Sequence, residues 1–104
     1  MRVVIDIDAQ AEATEAAVFY EHCRPGLGHD FTDAVEEGLK QITQRPLLWR
    51  RFKGRFRRYI LRRFPYAIIY AIEPDRLYVA AVMHMKRKPD YWLARISERA
   101  NEYR

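Results

Sequence analysis

Residues 57–84 have the sequence RRYILRRFPYAIIYAIEPDRLYVAAVMH, and this stretch determines the fold. It holds two apolar runs, residues 66–72 and 77–83, with a short polar interruption at Pro74 and Asp75. Apolar runs of this length that are rich in Val, Ile, Ala and Tyr are typical of β-strands. Pro followed by Asp favours a tight turn, because proline fixes its own φ and aspartate suits the next turn position. We therefore predict two antiparallel strands joined as a hairpin.

The sequence before this stretch predicts a strand followed by two helices. Residues 3–7 form a short run that is apolar except for Asp6 and predicts a strand. Asp8 is the expected N-cap of the first helix. We expect that helix to end around residues 25–28, where two glycines favour a tight connection. A second helix is predicted from near Asp30 to Pro46, since a proline disfavours helical dihedrals in the residue before it. Its apolar face is formed by residues three or four apart: Phe31, Val35, Leu39 and Ile42.

The remaining segments complete a β-α-α-β-β-β-α order. Residues 47–56, LLWRRFKGRF, show neither a helical nor a strand period, and we expect an irregular, partly exposed segment. A strand is predicted to begin at Tyr59, and Pro89 is expected at the first position of a last helix. One face of that helix would carry Leu93, Ile96 and Ala100. This order predicts an α+β fold in which a helical hairpin packs on an antiparallel sheet and a helix follows at the C-terminal end.

Length and composition favour one compact domain over residues 1–104. The only cysteine, Cys23, excludes an internal disulfide. No apolar run approaches the roughly 18 residues of a membrane span, and the N-terminal run is too short for a signal peptide. We therefore expect a cytoplasmic protein with no membrane association.

The net charge of +5 is distributed unevenly. Residues 1–37 carry nine acids and two bases, whereas residues 38–72 carry ten bases and no acid. A stretch without a carboxylate cannot neutralise itself locally, so it predicts an anionic partner, either nucleic acid or an acidic protein surface. The alternative is that some of its arginines pair with the acidic first third in the folded chain. The sequence leaves both interpretations open.

Three segments resemble the RelE/ParE superfamily of toxins. They are residues 28–31 (GHDF), residues 62–70 (RRFPYAIIY) and residues 84–92 (HMKRKPDYW). The resemblance covers nearly the whole chain and is closer to ParE than to RelE. It implies the fold described above and the toxin role of a type II toxin–antitoxin system of the plasmid stabilisation type. It also implies growth inhibition and a cognate antitoxin as partner.

The superfamily uses one fold for two activities, so the fold alone does not decide the target. ParE-like members poison DNA gyrase, and RelE-like members cleave messenger RNA on the ribosome. For RNA cleavage, which would be metal-independent, the resemblance implies four candidate catalytic residues: Arg62, His84, Arg87 and Tyr91. Ala67, however, stands where RelE-like enzymes carry an arginine in the third strand, so gyrase poisoning is the favoured prediction. A third reading is an inactive member that only binds an antitoxin.

The remaining site predictions concern binding. Residues predicted to contact nucleic acid or another target are Arg50, Arg51, Lys53, Arg55, Arg58, Arg63, Lys86 and Lys88. Residues predicted to contact a protein partner are Trp49, Tyr91 and Trp92, and an apolar patch around them leaves self-association open. His22, Cys23 and His29 lack the spacing of a zinc site, so we expect no metal and no cofactor.

Overall fold

The computed structural model describes residues 1–102, with side chains described for residues 1–97. The elements are β1 (Arg2–Ile5), α1 (Ile7–Cys23), α2 (Leu27–Gln44), β2 (Arg51–Lys53), β3 (Phe56–Ile60), β4 (Tyr66–Glu73), β5 (Arg76–His84) and α3 (Tyr91–Glu102). This arrangement confirms the α+β prediction and adds one strand, β2. The helices of residues 1–102 are too short or too polar to cross a membrane.

The five strands form one sheet in the order β1-β5-β4-β3-β2. The predicted hairpin is β4 and β5, which pair antiparallel and close with Glu73 opposite Arg76 around Pro74 and Asp75. β2 to β5 form an antiparallel meander, and β1 adds to its β5 edge as a parallel strand. The sheet is therefore mixed rather than wholly antiparallel as predicted.

β2 lies within the segment that was predicted to be irregular. It pairs antiparallel with β3 across a two-residue loop, in which Gly54 has a φ of 54° that favours glycine. The strand pattern was hidden because Arg51 and Lys53 flank a single aromatic residue, Phe52. Both basic side chains stay exposed because β2 is an edge strand.

Both helices of the hairpin begin earlier than predicted. α1 begins at Ile7 because Asp6, rather than Asp8, is the N-cap: its Oδ1 accepts a hydrogen bond from the backbone N–H of Asp8 at 2.9 Å. α2 begins at Leu27 because a distant side chain caps it. The Glu21 carboxylate accepts hydrogen bonds from the backbone N–H groups of Gly26 and Gly28 at 3.0 and 3.1 Å.

The C-terminal helix α3 begins at Tyr91, two residues after the predicted proline start. Leu93 and Ile96, predicted to share one face of this helix, both pack against the cluster between the sheet and α3. Ala100, predicted on the same face, lies outside the residues whose side chains are described.

The two faces of the sheet bury two separate apolar clusters. Ile68 and Tyr70 of β4 face α1 and α2, whereas Ala67 and Ile69 of the same strand face α3. At a β-bulge in β5, Tyr70 pairs with Val79 while Ile69 pairs with Ala81, which leaves Ala80 as the extra residue. As a result Ala80 and Ala81 both face α3. The α3 face is lined mainly by small side chains, which lets the helix lie close to the sheet.

Candidate functional site

The loops that carry Arg62 and Arg87 leave the same end of the sheet. The loop after β3 and the loop after β5 are joined by a hydrogen bond from the Met85 N–H to the Pro65 carbonyl at 2.8 Å. Arg62 nevertheless lies apart from the other candidates. It lines a hollow beside α2 with Asp30, whereas His84 and Arg87 line one beside α1 with Glu12.

A carboxylate from α1, Glu12, organises this region. Its Oε1 accepts hydrogen bonds from the Val82 N–H at 3.1 Å and from Nη2 of Arg95 at 2.9 Å. Its Oε2 accepts hydrogen bonds from the Tyr91 hydroxyl and from Nη1 of Arg95 at 3.3 Å. Arg95 also donates to the Ala80 carbonyl at 2.9 Å. The pairing of β1 with β5 ends at Val79. Beyond it, Glu12 and Arg95 provide the hydrogen-bond partners of the Val82 N–H and the Ala80 carbonyl, and they join α1, β5 and α3.

The same carboxylate restrains two of the four candidate catalytic residues. The Arg87 guanidinium lies 3.7 Å from the centroid of the Tyr91 ring, and its Nη1 lies 3.7 Å from Oε2 of Glu12. Burial, followed by the hydrogen bond to Glu12, raises the pKa of Tyr91 well above its ordinary value. Tyr91 is therefore a neutral hydrogen-bond donor at physiological pH, and the charge of Arg87 is partly neutralised.

Arg95 keeps its charge in spite of its partial burial. Burial opposes the charged guanidinium, but the hydrogen bonds and the negative charge of Glu12 outweigh it and raise the pKa of Arg95. The side chain is 21% exposed, and that of Glu12 is 13% exposed. The pair is consequently a partly buried ion pair, which is lost at high cost if only one partner is removed.

His84 is held by local contacts. Its Nδ1 accepts a hydrogen bond from the Lys86 N–H at 3.0 Å, and its ring packs edge-on against Tyr66 with centroids 4.9 Å apart. His84 also lines a shallow hollow of 270 Å³, together with Arg87 and the exposed ring of Phe19. This geometry matches a structural histidine at the end of a strand and leaves its imidazole at the surface.

Ala67 lies in the interior, fully buried in the cluster between the sheet and α3. Its neighbours in that cluster include Met83 and Trp92. An arginine in its place would have to displace this packing or bury its charge. The position that RelE-like enzymes give to a cation is thus part of the apolar core in this chain.

The predicted target-binding cations fall into two groups. Three lie beside carboxylates: Arg55 beside Glu73 at 3.2 Å, Arg63 beside Asp30 at 3.5 Å and Lys88 beside Asp90 at 3.9 Å. The others form no ion pair with any carboxylate of residues 1–97: Arg50, Arg51, Lys53, Arg58 and Lys86. Pairing with the acidic first third is confirmed for Arg63, which lies beside Asp30. An anionic partner for the unpaired cations stays a prediction.

The predicted tryptophan patch does not form. Trp92 is fully buried, and its Nε1 donates a hydrogen bond to the Pro89 carbonyl at 3.0 Å, so it belongs to the core rather than to an exposed partner-binding surface. Trp49 is half-buried and packs edge-on against Tyr59, with centroids 4.9 Å apart. The sequence did not distinguish these tryptophans from surface anchors, because each is buried by elements far from it in the chain: Trp49 joins the cluster under α1 and α2, and Trp92 the cluster under α3.

A groove of about 420 Å³ runs between α1 and α2 above the sheet. Its walls and floor are mostly apolar and include Ala13, Phe31, Val35, Leu39, Ile68 and Val79. Val18 lies at its rim and is 51% exposed.

Sequence reasoning missed Glu12 and Arg95. They are 83 positions apart, so no local pattern links them. The only signal was the general one, an acidic first third in a chain with excess arginine. Among the described residues, no group of three or more His, Cys, Asp or Glu side chains is arranged to hold a metal ion.

Comparisons with known proteins agree with this architecture. A family model described as "ParE toxin of type II toxin-antitoxin system, parDE" matches residues 3–89. Among solved structures, a chain from "Chromosomal ParDE TA system from P. aeruginosa" has a TM-score of 0.72 and 13% identity, covering 83% of this chain and 97% of its own length. At that identity the likeness is one of fold. No curated protein matches the sequence significantly.

Proposed function

Since the chain belongs to the ParE toxin family, we propose that it inhibits growth by poisoning DNA gyrase and is neutralised by a cognate antitoxin. The proposed mode of action is protein–protein contact without a chemical step on the target. The proposed unit is one toxin domain over residues 1–104, acting in the cytoplasm.

One observation carries the choice of gyrase over RNA cleavage: two of the four groups that a metal-free ribonuclease would use are engaged within the protein. Such an enzyme requires free cations around the strained phosphate and a group that takes the 2′-hydroxyl proton. Here Arg87 and Tyr91 are both held by Glu12, and Ala67 is buried under α3. These contacts favour a binding surface over a catalytic one.

We propose that the antitoxin covers the groove between α1 and α2. Toxins of this family are paired with an antitoxin, and an amphipathic segment lays its apolar face into such a groove. Glu36, the acidic side chain that lines the groove, would then contact the polar face of that segment. This occupant replaces the earlier prediction that Trp49, Tyr91 and Trp92 are the partner contacts.

Two residues with the same exposure on opposite faces of the sheet test the antitoxin site. Val18 at the groove and Ile60 on the α3 side of the sheet are both 51% exposed. Val18→Glu should weaken binding of the purified antitoxin at least tenfold, measured by isothermal titration calorimetry, while Ile60→Glu changes it less than twofold. The reverse pattern would place the antitoxin on the α3 side of the sheet and reject the groove.

The proposed target is tested by expression without the antitoxin. Poisoned gyrase should produce DNA damage signalling, filamentation and altered plasmid supercoiling while protein synthesis continues. Prompt translation arrest with messenger RNA cuts would instead support the ribosome as target. Unchanged growth, with the folded protein present, would support the third reading, an inactive antitoxin-binding module.

A further inference from the structure

The hairpin formed by β2 and β3 carries an uncompensated positive charge at one edge of the sheet. We propose that this hairpin binds the phosphate backbone of duplex DNA without reading the base sequence. The proposal adds a direct nucleic-acid contact to a protein whose proposed target, gyrase, itself holds DNA. It is measured without gyrase, so either proposal can fail alone.

The charge comes from four side chains: Arg50, Arg51, Lys53 and Arg58. None of the four has a carboxylate partner among the side chains of residues 1–97, although Arg55 in the same hairpin is paired with Glu73. One cation of the hairpin is thus neutralised by a nearby acid, whereas these four side chains keep an unneutralised charge. Lys and Arg side chains left in this state release counterions when they meet phosphates, and that release is the main source of non-specific DNA affinity.

The local packing keeps these cations on one rigid element. The Arg58 N–H donates a hydrogen bond to the Arg50 carbonyl at 3.2 Å, which fixes the start of β2 against β3. The Arg57 guanidinium donates to the Trp49 carbonyl at 2.7 Å and so anchors the preceding loop. These bonds fix the backbone from which the cations project.

The aromatic residues of the hairpin indicate duplex rather than single-stranded nucleic acid. Proteins that bind single strands stack the bases on exposed aromatic rings. Here the Arg58 guanidinium lies 4.4 Å from the centroid of the Phe52 ring and covers it. Phe56 and Tyr59 are 6% and 8% exposed. The surface offers phosphate contacts but no stacking platform, which suits a duplex whose bases are already stacked.

The experiment measures fluorescence anisotropy of a labelled 20-base-pair duplex, and of one of its strands alone, with the purified protein between 50 and 200 mM salt. Four phosphate contacts give a slope of log K against log salt of about −3.6, or a loss of about 100-fold over this range. We expect the duplex to bind more tightly than the single strand. Equal or tighter binding of the single strand, or duplex binding that does not depend on salt, would overturn the proposal.

Matched charge reversals locate the site. Arg51→Glu with Lys53→Glu should weaken duplex binding at 100 mM salt at least tenfold and reduce the slope to about −1.8. Arg2→Glu with Lys40→Glu makes the same change in net charge, with Arg2 on β1 at the opposite edge of the sheet. This control should lose less than threefold. Equal losses in both variants would mean that only the net charge matters, and the hairpin site would be rejected.

The neutral double variant Arg51→Gln with Lys53→Gln serves if the charge-reversed variant misfolds. It should also change the slope to about −1.8, the value for two contacts fewer, while its thermal melting curve stays that of the wild type. A wild-type slope in this well-folded variant would overturn the proposal as well.

Discussion

Replacement of Glu12 by glutamine should destabilise the protein more than any comparable change on α1. Glutamine keeps the shape of the side chain but removes the charge opposite Arg95 and replaces one acceptor oxygen by a donor amide. Removing one partner of a buried ion pair costs about 3 to 5 kcal/mol. Because Arg95 is 21% exposed, we take the lower end, about 3 kcal/mol of unfolding free energy.

Urea denaturation followed by tryptophan fluorescence measures this loss, since Trp92 lies in the cluster that α3 covers. With an m-value of about 1.5 kcal/mol per molar urea, the midpoint should fall by about 2 M. The control is Glu15→Gln, one turn further along α1, which is exposed and should change the stability by less than about 0.5 kcal/mol.

A double substitution separates the ion pair from other roles of Glu12. Glu12→Leu with Arg95→Met removes both charges, and apolar replacement of a whole buried pair is often nearly neutral. Here the Val82 N–H and the Ala80 carbonyl lose their partners, so the double variant stays less stable than the wild type. It should still be more stable than Glu12→Leu alone, which leaves the Arg95 charge without its main partner. If Glu12→Gln behaves like Glu15→Gln, or if the double variant is the least stable, the account of Glu12 as the link between α1, β5 and α3 is wrong.

Three further predictions concern packing, titration and helix capping. Gly38→Ala should cost about 1 to 3 kcal/mol of stability by chemical denaturation, because the added Cβ would lie 2.8 Å from Cδ1 of Ile68; a neutral result would mean that α2 moves freely off the sheet. The pKa of Tyr91 is raised in the folded protein, so the folded protein keeps a proton that the unfolded chain loses above pH 10. The free energy of unfolding should therefore be constant with respect to this group below pH 10 and fall as the pH rises above 10. Tyr91→Phe should make this alkaline loss less steep by up to about 1.4 kcal/mol per pH unit, and an unchanged slope would contradict the assigned cause. Glu21→Ala should cost about 1 kcal/mol by removing the cap at the Gly28 N–H, and amide exchange at the start of α2 that stays slow would argue against it.

The parts of the fold that depend on local sequence were predictable. The β4–β5 hairpin follows from two apolar runs and the Pro74-Asp75 turn, and the end of α2 follows from Pro46. Both signals act within a few residues, so no tertiary information was needed. The family resemblance likewise lay in short contiguous segments.

The features that were missed depend on residues far apart in the chain. β2 was not predicted because its sequence has one aromatic residue between two cations, which is too short a pattern to indicate a strand. Its pairing with β3 makes it one. The start of α2 is set by Glu21, which belongs to the preceding helix. Trp92 is buried where α3 packs on small residues such as Ala67 and Ala80, and the contacts of Glu12 and Arg95 that join α3 to α1 and β5 are also long-range.

The candidate site was predicted as a set of residues but not as an arrangement. The sequence placed Arg87 and Tyr91 near one another, and the structure adds the carboxylate that engages both. The carboxylate changes what these groups can do, because the Arg87 guanidinium and the Tyr91 hydroxyl contact Glu12 instead of being free to contact RNA. The charge excess was predicted correctly, whereas its division into paired and unpaired cations required the folded chain.

The target is decided by a cleavage assay with purified gyrase, supercoiled plasmid and the purified toxin, run beside a ribosome-dependent RNA cleavage assay. Gyrase poisoning requires that the toxin causes linear plasmid to accumulate as a trapped gyrase–DNA complex, that added antitoxin abolishes this effect, and that messenger RNA on the ribosome stays intact. Unaffected gyrase together with messenger RNA cleavage that depends on Arg87 and His84 would contradict it.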